Sequence, residues 1–248
     1  MSYTTILYNQ KDHIARITLN RPEVNNIINY QLAQELENAC HHVNQDDDAY
    51  AVIITGAGDR AFCSGSESES MIQGYNPATA IANIDRPVIV AINGDALGQG
   101  LELALGGDIR LASHQARLGF PQVTHGFIPI DGGTQRLPRI VGRGKALELL
   151  LTAETITADE ALEIGLVNRV LTQGNLAAEV ETLAQTIASK GPIALRYIKE
   201  AINKGLELTL EQGLRLEGDL YFLLHTTSDR TEGIKAFLNK MPPKFTGQ

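Results

Sequence analysis

Two glycine-containing stretches of the chain hold backbone groups that are suited to binding an anionic oxygen. Residues 61–66 and 96–102 each follow a predicted strand, and the second stretch also opens a predicted helix. The first N–H groups of a helix have no intrahelical acceptor and carry partial positive charge, and glycine lets a ligand oxygen approach them. If the two stretches meet, they would stabilise the oxyanion of an enolised carbonyl. Ordinary turns after strands share the same local pattern, so the pattern alone does not decide.

Glu102 is the carboxylate in the second of these stretches. It lies in the first turn of a helix whose other residues from 101 to 107 are Leu, Ala and Gly. A carboxylate in so apolar a helix needs a reason to be there. One interpretation is a favourable interaction with the helix N-terminus, or a buried ion pair with an arginine. The other is proton transfer by a carboxyl group whose surroundings raise its pKa.

Asp131 lies in a third stretch, residues 119–137, at the end of the apolar loop Phe-Ile-Pro-Ile-Asp. It precedes two glycines and a short predicted helix, which predicts that it is the N-cap of that helix. The apolar loop would also desolvate its carboxyl group, and this favours an acid–base role. The residues alone leave both interpretations open.

The elements that must position these residues belong to an α/β chain. Short, continuous apolar runs indicate strands that are buried on both faces, and apolar residues at helical spacing indicate helices. The predicted strands are residues 4–9 and 13–19, which form a hairpin, and 51–55, 87–93 and 108–112. The predicted helices are residues 30–44, 143–151, 157–164, 176–189, 192–204, 209–223 and 228–240. We expect one core domain with a helical C-terminal part.

The composition argues against several classes of function. A net charge of −8 over 248 residues, with no basic run, argues against nucleic acid as the main partner. No stretch approaches the roughly 20 apolar residues of a membrane span, and the N-terminus lacks the features of a signal or transit peptide. Cys40 and Cys63 have neither a disulfide framework nor metal-ligand spacing. We therefore expect a cytoplasmic protein without a bound metal.

Six motifs, taken together and in order, closely resemble the enoyl-CoA hydratase/isomerase (crotonase) superfamily. They are residues 19–26, 62–66, 87–94, 97–104, 128–137 and 161–167. The resemblance implies a crotonase-like spiral of ββα units over residues 1–190, which carries the acyl-CoA site, and a C-terminal helical oligomerisation region over residues 191–248. It also implies a homotrimer or a dimer of trimers. The superfamily hosts many reactions on one frame, so the resemblance leaves the reaction open.

The resemblance also implies which residues meet an acyl-CoA thioester. Its carbonyl would lie against the backbone N–H groups of Ser66 and Gln99, which form the oxyanion hole. The residues expected to contact CoA or the acyl group are Arg21, Val24, Asn26, Gly65, Glu67, Ser68, Gly98, Pro121, Ile130, Phe237 and Lys240. In relatives the residues that resemble Phe237 and Lys240 often reach CoA from a neighbouring subunit. No metal or redox cofactor is implied, because CoA arrives as part of the substrate.

Two departures from the family pattern affect the expected chemistry. Glu102 matches the first catalytic glutamate of a hydratase, but Gln122 stands where the second would be, and an amide cannot donate and recover a proton near neutral pH. Asp131, nine residues later, is a candidate replacement, although its position is shifted by one residue from the aspartate of other relatives. The segment between Ser66 and Arg86 is short, which indicates either an open pocket for a bulky or cyclic acyl group or neutral loop variation.

These observations lead to one main prediction and three alternatives. The main prediction is a lyase that hydrates an unsaturated acyl-CoA, with Glu102 as the proton-transfer group and Gln122 orienting the water or the acyl group. The same frame also supports a double-bond isomerase, which needs one carboxylate, or a cofactor-free decarboxylase or hydrolase. An acyl-CoA-binding protein without catalysis is the alternative from another class.

Overall fold

Ten strands form two sheets in the part of the chain that the structure describes, residues 3–67 and 74–248 of a computed structural model. The strands are β1 (Ile6–Lys11), β2 (Ile14–Leu19), β3 (Ala51–Gly56), β4 (Ala61–Cys63), β5 (Val88–Ile92), β6 (Asp95–Leu97), β7 (Ile109–Ser113), β8 (Arg117–Gly119), β9 (Thr155–Thr157) and β10 (Arg169–Leu171). The larger sheet has the order β1-β2-β3-β5-β7-β10 and the smaller one the order β4-β6-β8-β9.

Ten α-helices accompany these strands within the described residues. They are α1 (Tyr30–Gln45), α2 (Pro77–Ala82), α3 (Gln99–Gly106), α4 (Gly133–Val141), α5 (Arg143–Thr152), α6 (Ala158–Glu163), α7 (Gln173–Ala188), α8 (Pro192–Gly205), α9 (Leu210–Leu224) and α10 (Ser228–Asn239). The described chain is therefore a mixed α/β frame with a helical C-terminal part.

The central strands of the larger sheet, β3, β5 and β7, are buried on both faces, which explains their continuous apolar runs. β1 and β2 form the predicted antiparallel hairpin, and the remaining strands pair in parallel. In β3, Val52 and Ile54 pack in the main core that includes α1, whereas Ile53 packs in a second cluster with Leu176 and Val180 of α7. Strands covered on both faces need no polar alternation, whereas the edge strand β1 alternates between exposed and less exposed residues.

The smaller sheet positions the site. β4, β6 and β8 are parallel neighbours, so their carboxyl ends lie at the same edge of the sheet. The chain that leaves these ends contains the three glycine-containing stretches described above. The crevice at the carboxyl ends of parallel strands is a common place for a ligand. The topology therefore brings together residues that are far apart in sequence.

Gly100 determines how closely α3 approaches β4. A Cβ atom at this position would lie 2.0 Å from the carbonyl oxygen of Cys63. No side chain fits in that space, so glycine lets α3 begin directly against the end of β4. This contact fixes the turn after β6 next to the turn after β4.

The C-terminal helices α8, α9 and α10 cover the region that was predicted to mediate oligomerisation. Lys199 of α8 is joined to the core, because its Nζ atom donates hydrogen bonds to Asp108 Oδ2 (2.7 Å) and to the carbonyl oxygen of Arg86 (2.9 Å). Many apolar side chains of these helices are exposed on the single chain, among them Leu206, Leu210 and Phe222. The boundary between residues 190 and 191, and the oligomerisation itself, stay predictions.

The secondary-structure prediction was wrong at several short elements. β9 and β10 lie in the region predicted to be entirely helical, and β4, β6 and β8 were not predicted as strands. Each has three residues, which is too short to show a period of two. Among the described residues, no helix is both long and apolar enough to cross a membrane.

Candidate active site

The three glycine-containing stretches meet around a cavity of about 310 Å³ at the edge of the smaller sheet. The turn after β4, the turn after β6 with the start of α3, and the loop after β8 all contribute to its wall. The lining residues are Ser64, Gly65, Ser66, Gly98, Gln99, Glu102, Pro121, Gln122, His125, Phe127 and Ile130. Eight of the predicted site residues are therefore brought together here.

Among the described residues, the N–H groups of Ser66 and Gln99 have no backbone acceptor. Ser66 forms a parallel bridge with Ile28, in which Ile28 donates to the carbonyl of Gly65 (2.9 Å) and Glu67 donates to that of Ile28 (2.8 Å). This pattern directs the N–H of Ser66 away from Ile28. Gln99 is the first residue of α3, so its N–H has no intrahelical acceptor. Over residues 3–67 and 74–248, neither N–H donates to a backbone carbonyl.

Gly98 gives the turn before α3 its shape. Its φ of 55° and ψ of −125° favour glycine, and its N–H donates to the carbonyl of Gly119 at the end of β8 (2.9 Å). The carboxamide of Gln122 packs on this turn, since Gln122 Nε2 lies 3.5 Å from the place that a Cβ of residue 98 would occupy. Gln122 is therefore adjacent to the oxyanion turn.

The two carboxyl oxygens of Glu102 differ in their hydrogen bonding: among the described residues, one accepts two hydrogen bonds and the other accepts none. The side chain is 1% exposed, and its Oε1 atom accepts hydrogen bonds from the N–H groups of Asp131 and Gly133, both at 2.8 Å. Its Oε2 atom has no hydrogen-bond partner in the described part of the chain. Burial raises the pKa of Glu102 to about 7, although the two N–H donors oppose this change. The carboxyl group can thus both take and give a proton near neutral pH.

The interpretation that Glu102 forms a buried ion pair with an arginine is wrong. The described residues supply no ion pair to its carboxylate, so an arginine partner does not account for its burial. The compensation comes from the two backbone N–H groups of the loop that follows β8. A uniformly apolar helix turn gave no sign of these donors, which lie about 30 residues later in the chain.

Asp131 caps a different helix from the one that was predicted. Its Oδ2 atom accepts from the N–H of Ala78 (2.6 Å), and its Oδ1 atom accepts from the N–H (3.1 Å) and hydroxyl (2.9 Å) of Thr79. These donors belong to the first turn of α2. The N-cap of α4 is instead Gly132, whose φ of 101° turns the chain so that the Asp131 side chain faces α2.

The environment of Asp131 differs from that of Glu102. Burial raises the pKa of Asp131, and the hydrogen bonds from Ala78 and Thr79 oppose that effect. Both of its oxygens are engaged with α2, and within the described residues its side chain is not part of the cavity wall. Its backbone N–H, however, directly holds Glu102. The geometry favours a positioning role, and the acid–base role remains an untested prediction.

Arg21 and Asn26, two of the residues predicted to bind CoA, have side chains that already bind other groups of the protein. Arg21 pairs with Glu67 at 3.1 Å and donates to the carbonyl of Ile27 at 2.6 Å, so its charge is paired beside the segment that contains Ser66. Asn26 is fully buried, and its amide donates to the carbonyls of Ala57 (3.0 Å) and Ala61 (2.9 Å). Its side chain holds two loops together, which leaves no free amide hydrogen for a ligand.

The remaining predicted contacts lie away from the cavity or outside the description. Val24 is partly exposed, and Ser68 lies outside the described residues. Phe237, which is 83% exposed, and Lys240 lie at the end of α10, and in the described part of one chain neither lines the cavity. Their predicted contact with CoA would have to be made in a neighbouring subunit.

Sequence reasoning missed some residues of the site. Ser64, His125 and Phe127 line the cavity, and the N–H of Gly133 binds Glu102. These residues lie within or beside the glycine-containing stretches, but side-chain type alone does not show which residues of a loop face inward.

The described residues contain no group of three or more His, Cys, Asp or Glu that is arranged to hold a metal ion.

The groups that line the cavity indicate a class of enzyme, although they do not identify one reaction. Ser66 and Gln99, whose N–H groups donate to no backbone carbonyl among the described residues, line one cavity together with the buried carboxyl of Glu102. This set of groups suits chemistry that passes through an enolate. The chain belongs to the enoyl-CoA hydratase/isomerase family, whose model matches residues 9–248. It is therefore an enzyme of that family.

Three relatives match this chain along nearly its whole length, and the solved structure among them shares its crotonase-type fold. A crotonyl-CoA hydratase of Syntrophomonas wolfei is 39% identical over 99% of both chains. A short-chain-enoyl-CoA hydratase of Clostridium acetobutylicum is 36% identical over 97% of both. The crystal structure of an enoyl-CoA hydratase from Bacillus anthracis has a TM-score of 0.94 at 39% identity, covering 99% of this chain and 100% of that one.

Proposed function

We propose that this enzyme adds water to the double bond of an α,β-unsaturated acyl-CoA thioester. The observation that carries the proposal is the Glu102 carboxyl, whose Oε2 atom is unpartnered among the described residues while its Oε1 is fixed by two N–H donors. The N–H groups of Ser66 and Gln99 lie in the wall of the same cavity. The hydratases named among the relatives support the same reaction.

In the proposed reaction, the N–H groups of Ser66 and Gln99 bind the thioester oxygen. The Glu102 carboxylate removes a proton from water as the water oxygen forms a bond to the β carbon. The electron pair of the double bond forms a new double bond between the α carbon and the thioester carbon. The π pair of the carbonyl moves onto its oxygen, where the two N–H groups stabilise the enolate. Glu102 then returns the proton to the α carbon, so water is added and the carboxylate is regenerated.

Gln122 takes part by holding the water. Its Oε1 atom has no partner in the described chain and can accept the water hydrogen that Glu102 does not remove. Because an amide does not exchange protons near neutral pH, Glu102 performs both proton transfers. A pKa of about 7 suits a group that must first accept and then donate a proton.

The proposal is tested in water enriched with heavy oxygen. We expect label on the acyl chain of the wild-type product, and a loss of roughly 10²–10⁴-fold in turnover for Glu102→Gln. Glu35→Gln is the matched control, because Glu35 is also a buried carboxylate but binds Thr4 and Thr5, and none of these three residues lines the cavity. We expect this control to hydrate within about threefold of the wild-type rate. Near-normal hydration by Glu102→Gln would refute the mechanism.

Double-bond isomerisation is the second candidate. The observation that favours it is Gln122, since a single carboxyl group suffices to move a proton between the α and γ carbons. Isomerisation incorporates no heavy oxygen, whereas hydrolysis places the label in the released acid. Tight acyl-CoA binding with no product of any kind would instead identify a non-catalytic binding protein.

The acyl group is also part of the proposal. The short segment between Ser66 and Arg86 supports a bulky or cyclic acyl group, and residues 68–73 of this segment lie outside the described residues. A panel of linear, branched and cyclic enoyl-CoAs, followed by product mass, tests this proposal. Higher kcat/KM for linear short-chain substrates than for cyclic ones would overturn it.

A further inference from the structure

Three oxygen atoms of residues that line the cavity are buried without a hydrogen-bond partner among the described residues. They are Oε1 of Gln99, Oε2 of Glu102 and Oε1 of Gln122. Buried polar atoms are normally paired, because an unpaired acceptor forfeits the hydrogen bonds that it made with water. Three such atoms on one cavity wall indicate that a ligand supplies the missing donors.

A single water molecule cannot satisfy all three oxygens. Water has two hydrogens, and the proposed reaction directs one to Glu102 and the other to Gln122. This assignment of the two hydrogens rests on the proposed function. The reacting water therefore has no hydrogen left for the Gln99 oxygen. The Gln99 oxygen therefore needs a donor other than the reacting water, and the acyl chain is the part of the substrate that can bring one into the cavity.

Gln99 is one of the residues that line the cavity, and the residue is 6% exposed. Contacts of the residues on both sides hold its backbone in place. Gly98 is tied to Gly119 by a hydrogen bond, and Gly100 is packed against the carbonyl of Cys63. The terminal bond of a glutamine side chain has a broad torsional preference, so the Oε1 atom can turn towards a donor within the cavity.

We propose that the Gln99 carboxamide is a specificity-determining group that accepts a hydrogen bond from a hydroxyl on the acyl chain. The preferred substrate is therefore an acyl-CoA with a hydroxyl group beyond the reacting carbons rather than a plain hydrocarbon chain. A site built to accept a substrate hydroxyl discriminates against the analogue that lacks it, because the protein oxygen is then left unpaired.

The test measures binding, so it does not depend on turnover. Isothermal titration compares the saturated thioesters pentanoyl-CoA, 4-hydroxypentanoyl-CoA, 5-hydroxypentanoyl-CoA and 4-oxopentanoyl-CoA, none of which can be hydrated. We expect one of the hydroxyl compounds to bind about tenfold or more tightly than pentanoyl-CoA. The ketone, which accepts hydrogen bonds but cannot donate one, should show no such gain.

Two variants assign the preference to Gln99. Gln99→Leu keeps the backbone N–H and most of the side-chain volume, and we expect it to reduce the hydroxyl preference to within about twofold of unity. Gln173→Leu is the matched control, because Gln173 also opens a helix and has an unpartnered Oε1 among the described residues, but lies outside this cavity. The control should retain the wild-type preference.

The proposal is overturned if wild-type protein shows no preference for either hydroxyl compound, a result that needs no variant to fold. It is also overturned if the ketone binds as tightly as the alcohol, or if Gln99→Leu keeps the preference. Hydration of the panel of linear, branched and cyclic enoyl-CoAs, assayed in parallel, tests the proposed reaction separately, because the ratio of dissociation constants is the same whether or not turnover occurs.

Discussion

The ionisation of Glu102 links catalysis to stability. Burial raises its pKa from an ordinary 4.5 to about 7, so the folded protein binds this proton more tightly than the unfolded chain does. The stability contributed by the protonated group is complete below pH 4.5 and is lost as pH rises to about 7. Above that pH the folded protein must keep a desolvated negative charge in an apolar helix turn.

Replacing the charge with an amide should therefore stabilise the protein at high pH. We expect Glu102→Gln to raise the free energy of unfolding by about 1–3 kcal/mol at pH 8, and by less at pH 5. The new amide oxygen still accepts from Asp131 and Gly133, while the charge is gone. Urea unfolding at the two pH values measures the difference.

Glu35→Gln should behave in the opposite way. Burial tends to raise the pKa of Glu35, but hydrogen bonds from Thr5, Gln31 and Thr4 bring it below its ordinary value. Its contribution to stability is therefore present above the unfolded pKa and is lost as pH falls through the folded pKa. Its removal should destabilise the protein at pH 8. The same sign for both variants would contradict this account of Glu102.

Asp131 should matter for the stability of α2 and for the position of Glu102. Asp131→Ala removes the acceptor for Ala78 and Thr79, and we expect a loss of about 1–2 kcal/mol in the free energy of unfolding. Asp131→Asn keeps one acceptor and should lose less. Thermal unfolding and steady-state kinetics are measured on both variants. Full stability with kcat abolished and KM unchanged would instead identify Asp131 as an acid–base group.

At the scale of elements, the site depends on three short strands that end at one edge. Gly100→Ala would place a Cβ atom 2.0 Å from the carbonyl oxygen of Cys63, so α3 must move away from β4. We expect this variant to lose at least about tenfold in kcat/KM, because the N–H groups of Ser66 and Gln99 would separate. Steady-state kinetics on purified, folded protein provides the measurement.

Gly144→Ala is the control for this substitution. Gly144 lies within α5, and among the described residues nothing comes within 4 Å of its missing Cβ. Gly144 is the second residue of α5, where the preference of about 1 kcal/mol for alanine over glycine in a helix interior applies only in part. The control should therefore be equally or slightly more stable and equally active. If Gly100→Ala matches it in activity, the close approach of α3 to β4 is not needed.

Long helices and strands could be predicted from the sequence, whereas contacts between distant segments could not. The buried strands β3, β5 and β7 and the helices α1 and α8 were predicted, because five or more apolar or periodic residues carry a clear signal. The role of Glu102 as a buried group was predicted from its apolar neighbours. The cap of α2 was not, since Asp131 and Thr79 are 52 positions apart and their contact depends on how the sheets place the loop.

For the whole molecule, the exposed apolar side chains of the C-terminal helices point to assembly. Leu206 and Leu210 are each about 80% exposed on the single chain, and burying such surface would be favourable. We expect light scattering to give a mass three or six times that of the 26.9 kDa chain. Leu210→Asp combined with Phe222→Asp should lower that mass, whereas Asp12→Lys in the β1–β2 turn should not. A monomeric wild-type protein would contradict the expected homotrimer or dimer of trimers.

A relay of hydrogen bonds connects α2 with Glu102 through one residue. The side chain of Asp131 holds the first turn of α2, and its own N–H holds Glu102. Substitutions that displace the first turn of α2 would also shift this loop, and with it the proton affinity of Glu102. A change of optimal pH would then arise from a mutation on a helix that does not line the cavity.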